Sequence, residues 1–358
     1  MKVVVCWAGL QGYVAACLRA LNQVPSVDLH VLHLDFQDVP VQEELLHEVS
    51  NRRLMAAASN LEIPDLVSHR NPDVVLICGW FYPQYRRLVH TPALRGAKFV
   101  LGMDTPWTGA WPQRVNQIRL RGFMRRMDKV VVAGPRSAEC ARRLGVPRGR
   151  IANGLYGFDY TAFRERGRRL DAAPDWPKRF LFAGRYAHVK GIDILVDAYR
   201  RYRARVAAPW PLDCCGTGPE SSLITGEGIH DLGYVLPSEL PGVFADHGTF
   251  LMPSREEPWG VAIGEAAATG LPLICTDVCG ATIDILRSYY NGIAIPPGDA
   301  AALADAMVWM HQNHGRMREF GERSRQLAHP FSAETWAQRM HAYFASVLAA
   351  RESGAAPR

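Results

Sequence analysis

The sequence predicts an α/β chain built from two Rossmann-like, doubly wound parallel-sheet domains. Three observations carry this expectation. Short unbroken Val/Ile/Leu runs alternate with helical patterns, which marks strands covered on both faces and joined by helical crossovers. The alternation stops near Asn153 and resumes after Pro177. The 358 residues suffice for two domains, each with its own core.

Taken in order, KVVVCWAG reads as a buried strand ending in a glycine turn, and YVAACLRALNQV as the helix after it. DLHVLHLD, DVVLICGW, KFVLGMD and KVVVAG read as further strands. Residues 154–176 carry NGLYGFD-type turn chemistry, a basic run from Arg164 to Arg169 and DAAPDWP, and predict a linker. RFLFAGR, WPLDCCGTG, IHDLGYV, GTFLMPS and PLICTD form a second strand series. Ser332 is placed to cap a closing helix whose apolar positions Trp336, Met340, Tyr343 and Val347 recur at helical spacing. The expected parts are an N-terminal domain 1–153, a linker 154–176, a second domain 177–333 and a terminal helix 334–352.

Composition is 48% apolar and 21% charged, that of a soluble globular chain rather than a disordered or collagen-like one. No uncharged apolar run reaches the roughly 18 residues a transmembrane helix needs. MKVVVCWAG is too short an apolar stretch for a signal sequence, so a cytoplasmic protein is expected. The charge is uneven: residues 1–170 sum to +10 and residues 171–358 to −4. A basic first half points either to an anionic partner or simply to solubility. The eight cysteines show no C-x-x-C pair and read as buried free thiols.

The strongest motif is PSREEPWGVAIGEAAATGLPLICTD, residues 253–277. Pro258 and Gly260 can turn the chain after a strand, and Ala262 to Thr269 then reads as a helix ended by Gly270 and Pro272. Backbone N–H groups of Trp259, Gly260 and Val261 then sit at a helix N-terminus, which binds phosphate. Glu257 stands beside that point and Glu265 about two turns on, where carboxylates accept hydrogen bonds from sugar hydroxyls. In FAGRYAHVKGID a strand ends at Gly184, and Arg185 and Lys190 form a candidate diphosphate clamp. CGTGPE offers Gly218 for close backbone approach, and Val235 ends the next strand. In the first half, the loop Ala8–Gly12 brings Gly12 toward a ligand or merely makes a turn. Asp104 follows a strand, either in the active site or as a turn aspartate before Pro106.

As an ordered set, GRYAHVKG, CGTGPE, LGYV, PSREEPWGVAIGEAAATGLP and the closing FSAETW resemble the GT-B glycosyltransferases of family 4. The resemblance covers about residues 180–340. It implies two domains facing across a cleft, the final helix crossing back to the first. It also implies metal-independent transfer of a sugar from a nucleotide-sugar donor, with retention, and no cofactor. Arg185 and Lys190 would hold the diphosphate, Glu257 the donor sugar and Glu265 the ribose. The turn backbone at Trp259–Val261 would meet the phosphates, and Asp104 would lie beside the sugar. Trp259 stands where Phe is commoner in the family. No D-x-D metal motif occurs, and no metal site is expected.

Six cations lie between Arg114 and Lys129, against Asp128 alone. On one helix, Leu120, Phe123, Met124 and Met127 would form a packing stripe. Arg114, Arg119, Arg121, Arg125 and Arg126 would supply a basic face for a lipid-linked or glycan acceptor at an anionic membrane, or a merely solvated face. A soluble acceptor and a silent nucleotide-sugar binder remain alternatives. A dinucleotide oxidoreductase is disfavoured because Gly9 and Gly12 lack G-x-G-x-x-G spacing. No nucleic-acid module is recognisable.

Overall fold

The structure, a computed structural model, describes residues 1–35, 46, 48–55 and 59–352. In chain order the first elements are β1 (Lys2–Trp7), α1 (Gly12–Asn22), β2 (Asp28–Asp35), β3 (Asn51–Met55) and α2 (Ser59–His69). Next come β4 (Val74–Cys78), α3 (Pro83–Arg87), β5 (Lys98–Met103), α4 (Trp111–Arg119), α5 (Arg121–Arg125), β6 (Lys129–Val132), α6 (Pro135–Arg143) and β7 (Ile151–Asn153). Their strands form one parallel sheet in the order β3-β2-β1-β4-β5-β6-β7.

The chain continues through α7 (Tyr160–Ala172), β8 (Phe180–Ala183), α8 (Ile192–Arg203), β9 (Leu212–Cys215), β10 (Ile229–Gly233) and α9 (Leu240–Ala245). Then follow β11 (Thr249–Met252), α10 (Val261–Thr269), β12 (Leu273–Thr276), α11 (Thr282–Ile285), β13 (Gly292–Ile295), α12 (Ala300–Gln312), α13 (Met317–Ala328) and α14 (Ala333–Glu352). A second parallel sheet has the order β10-β9-β8-β11-β12-β13. The chain divides into two units: residues 1–157 with the helix that follows Ser332, and residues 158–332.

Strand alternation explains the first core. Val3, Val5 and Trp7 pack on one face, in a cluster with Leu18 of α1 and Trp336 and Met340 of α14. Val4 and Cys6 pack on the other, with Ile63 of α2 and Phe123 of α5. Covering both faces is what makes these strands apolar at every position. Trp336 also donates its indole N–H to the Leu155 carbonyl at 2.7 Å, which ties α14 into this unit. The expected stripe of Leu120, Phe123, Met124 and Met127 is buried in the same core. All eight cysteines are buried, and none forms a disulfide.

Several expectations need correction. Residues 154–176 are not a linker. Asp159 caps α7 by accepting from the Ala162 N–H at 2.9 Å, and Phe163, Gly167 and Leu170 are buried in the second unit. A Cβ on Gly167 would lie 2.0 Å from the Thr269 carbonyl, so α7 rests directly on α10. The basic run Arg164–Arg169 is largely the solvent side of that helix, so charge hides an amphipathic pattern. The single helix expected around Arg114–Lys129 is two short ones that meet at Leu120. Strands β3, β7 and β13 do not emerge from the sequence pattern. All three lie next to or at a sheet edge, and short or half-polar edge strands lack the apolar signal of central ones.

Candidate functional site

In an open parallel sheet, ligands bind beyond the strand carboxyl ends where the strand order reverses. In the second unit that point lies between β8 and β11, because β8 pairs with β9 on one side and β11 on the other. The loops leaving these two strands are Gly184–Gly191 and Pro253–Gly260, the two that carry the strongest sequence motifs. Topology therefore brings Arg185, Lys190 and Glu257 to one place.

The Lys190 ammonium pairs with the Glu257 carboxylate. The carboxylate is almost fully enclosed, its side chain only 9% exposed. An ammonium has three donors, so Lys190 can hold Glu257 and still reach an anion. Arg185 is exposed and makes no ion pair among the described residues. Beyond Glu257, Gly260 takes φ +95° as the N-cap of α10, a conformation that favours glycine. The first-turn N–H groups of α10, at Val261 and Ala262, have no acceptor within the helix and carry its positive dipole end.

Trp259 is placed differently from the other members of its motif. Its side chain is buried against Phe158 and Phe331, with ring centroids 6.4 and 5.5 Å away. Only its backbone can serve a ligand, as the motif requires. Glu265 lies in α10, densely surrounded though part of its surface remains accessible. Desolvation, with the nearby Asp159 charge adding to it, pushes its carboxyl up to about 7.

The neighbouring loops are laced together by backbone bonds. Gly184 donates to the Cys215 carbonyl and Tyr186 to that of Thr217, each at 2.9 Å, and Glu220 donates back to the Tyr186 carbonyl at 3.0 Å. Gly218 sits in this lacing, where a Cβ would lie 2.3 Å from the Tyr186 carbonyl oxygen. Gly216 donates to the Gly233 carbonyl at 2.8 Å; β10 ends at Gly233, so Val235, expected to end this strand, lies two residues beyond it.

Other residues at the site escape the motif pattern. Arg255 forks both oxygens of Asp193 at 2.6 Å and donates to the His188 carbonyl at 3.0 Å, binding one motif loop to the other. It stands within PSREE, but spacing gives it no role. Gly280 donates to the Glu257 carbonyl at 3.2 Å, and Ala281 to that of Trp259 at 2.8 Å. A Cβ on Gly280 would lie 2.2 Å from the Pro258 carbonyl oxygen, so the segment that braces the Glu257 turn admits no side chain. No sequence pattern marks it, because the contact spans separate loops. Ser254 is fully buried and its hydroxyl has no partner among the described residues.

Among the described residues, the grouping with metal-like spacing is His188, Asp193 and Glu220, whose donor atoms lie within 4.8 Å of one another. Arg255 already occupies both Asp193 oxygens, which leaves that group a poor cation ligand.

In the first unit, strand order reverses between β1 and β4. Gly12 opens α1 just past β1, and Ala8 in the same loop donates to the Cys78 carbonyl at 3.0 Å. Asp104 follows β5, one strand farther along. Its carboxylate accepts from the Tyr156 hydroxyl at 2.8 Å, and Tyr156 packs against Tyr13 at 5.7 Å between centroids. Asp104 is thus a held side-chain acceptor rather than the turn aspartate its sequence also allows. Arg114, Arg119, Arg121, Arg125 and Arg126 are all exposed.

Known proteins resemble the chain in the sequence of its second unit and in its fold. Residues 177–313 match the family described as Glycosyl transferases group 1. D-rhamnosyltransferase WbpZ of Pseudomonas aeruginosa is 26% identical over 214 residues, covering 56% of this chain and 54% of that protein. O-antigen chain mannosyltransferase C of Escherichia coli is 29% identical over 161 residues, covering 41% and 40%. The matches thus span about half or less of these curated relatives. Among solved structures, Anabaena Alr3699/HepE in complex with UDP and glucose superposes with a TM-score of 0.74 at 16% identity, covering 97% of this chain and all of that one. Sucrose-phosphate synthase from Thermosynechococcus elongatus gives 0.75 at 16% identity, covering 98% and 100%. Residues 177–313 thus match the Glycosyl transferases group 1 family, in a chain whose two parallel-sheet units have the GT-B glycosyltransferase fold.

Proposed function

We propose that this chain is a retaining glycosyltransferase of family 4, working in surface polysaccharide or glycolipid assembly. It moves a sugar from a nucleotide-diphosphate sugar to an acceptor hydroxyl without a metal ion. The observation that carries this reading is the Lys190–Glu257 pair at the strand-order reversal, beside the exposed Arg185 and the N-terminus of α10. Arg185, Lys190 and the first N–H groups of α10 stabilise the negative charge that grows on the departing diphosphate. Glu257 accepts from donor-sugar hydroxyls and Glu265 from the ribose. Asp104, oriented by Tyr156, serves the transferred sugar. Relatives named for rhamnosyl and O-antigen mannosyl transfer, and a fold relative solved with UDP and glucose, support a nucleotide-sugar donor and a glycan-type acceptor. The basic face from Arg114 to Arg126 suits a lipid-linked acceptor at the inner face of an anionic membrane.

The test is a thermal-shift screen of UDP, GDP and their sugars, followed by transfer assays with and without EDTA. A bound donor at a hundred times its dissociation constant adds about 2.7 kcal/mol of stability. Transfer that survives chelation is the expected result. No stabilisation by any nucleotide sugar refutes the reading, and strict Mg²⁺ or Mn²⁺ dependence refutes its metal-independent form.

A further inference from the structure

The basic segment carries an apolar feature that the charge pattern does not suggest. Helix α4 has no buried residue. Its Trp111 and Ile118 are 75% and 82% exposed. Seven positions apart, they share one helix face, with Val115 between them. The chain is anchored just after this helix, where Leu120, Phe123, Met124 and Met127 enter the core, so α4 stands on the surface with its apolar ridge uncovered. Arg114, Arg119, Arg121 and Arg125 are exposed on and beside it, and none pairs with a carboxylate among the described residues. An exposed Trp with a neighbouring aliphatic side chain, set among unpaired arginines, is the composition of a helix that lies in a bilayer interface. No helix of the described residues is long and apolar enough to cross a membrane.

We propose that α4 is an interfacial helix. It lays Trp111 and Ile118 into the headgroup layer of an anionic bilayer, while Arg114, Arg119, Arg121 and Arg125 meet lipid phosphates. This deepens, and rests on, the reading of a membrane-borne acceptor. It differs from purely electrostatic adhesion, because an apolar contribution survives when salt screens the arginines.

The full chain is tested by co-sedimentation with vesicles of phosphatidylcholine, alone or mixed with phosphatidylglycerol. Wild type should bind the mixed vesicles and keep a measurable fraction bound at 1 M salt, where the Debye length is about 3 Å. The Trp111→Ser, Ile118→Ser double variant should bind at least about tenfold more weakly and lose all binding at that salt. Equal binding by both proteins at every salt overturns insertion, and wild type that ignores mixed vesicles overturns the proposal. A second measurement uses Ile118→Cys carrying a polarity-sensitive dye, which is selective because all eight native thiols are buried. Mixed vesicles should blue-shift its emission, while the same dye at Arg200→Cys should not respond. An unshifted label at position 118 overturns insertion. A shift produced by raising protein concentration without vesicles marks self-association and also overturns it. UDP-induced thermal stabilisation of wild type separates the two readings: nucleotide binding without vesicle binding defeats this proposal alone, and the reverse defeats the transferase reading.

Discussion

The pairing of Lys190 with Glu257 makes opposite predictions for the two side chains. On the proposed reading, Lys190→Ala and Arg185→Ala remove charge-assisted bonds to diphosphate, and each should weaken nucleoside-diphosphate binding by about 1.5–3 kcal/mol. Glu257→Gln removes an anion from the same place, so diphosphate affinity should hold or rise while transfer falls. Calorimetric titration of all three variants checks this, and an unchanged affinity in both cation variants excludes the clamp. Glu265 gives a pH signature. Its folded pKa of about 7 lies above the usual carboxyl value of 4.5. The folded state therefore holds its proton more tightly than the unfolded chain, and stability is lost as pH rises from about 4.5 to 7. The ionised carboxylate is the better acceptor for ribose hydroxyls, so affinity for an intact nucleotide sugar should increase as pH rises through about 7. Glu265→Gln should flatten that profile, and an identical profile in the variant would remove Glu265 from the nucleotide site. At the opposite end of the second sheet, Asp213 accepts from Arg179 and His247, at 3.1 and 2.9 Å, and pairs with His230 at 2.7 Å. These partners hold its carboxyl well below the ordinary range despite burial. Its contribution is present at neutral pH and lost as pH falls through that depressed value. Asp213→Asn should cost about 1–3 kcal/mol in urea denaturation at pH 7, the range for a buried partner left unmatched.

Helix α7 shows how a segment of basic and turn-forming residues becomes structural. Phe163 and Leu170 are seven positions apart and share a face, and Phe163 meets Phe244 edge-on at 5.4 Å between centroids. Arg318 then binds the carbonyls of Leu170, Asp171 and Ala173, closing the carboxyl end of the helix. Two substitutions separate cap from packing. Asp159→Ala should cost about 1 kcal/mol by removing the N-cap. Gly167→Val should cost more, because its side chain would enter space held by the Thr269 carbonyl on α10. Equal stability of Gly167→Val and wild type in chemical denaturation would contradict the α7–α10 packing.

Each unit has its own sheet and core, so damage to one should leave the other recognisable. Trp336 is 1% exposed within the first core, and Trp336→Ala should destabilise that unit by about 3–5 kcal/mol. Ending the chain at Ser332 should be worse, because it removes Trp336 and Met340 together and uncovers the face on which Val5 and Leu18 pack. Both variants should show an earlier thermal transition, while nucleotide still protects the later one. Loss of both transitions together would show that the units do not unfold independently.

Much of this organisation is legible in the amino-acid sequence. The central strands can be read because they are buried on both faces, and the two motif loops because Gly, Lys and Glu stand at fixed offsets from those strands. The same local rules place α10, with Gly260 at one end and Gly270 at the other. What the sequence does not convey depends on contacts between distant segments. Edge strands β3, β7 and β13 take their place from pairing partners rather than from apolar runs. Gly280 and Arg255 brace the Glu257 loop from residues whose roles no spacing reveals. The helix break at Leu120 separates α4, which buries none of its residues, from α5, which buries Phe123 and Met124. Periodicity determines that a stripe exists; only tertiary packing selects Phe123 and Met124 for the core and leaves Trp111 and Ile118 outside it.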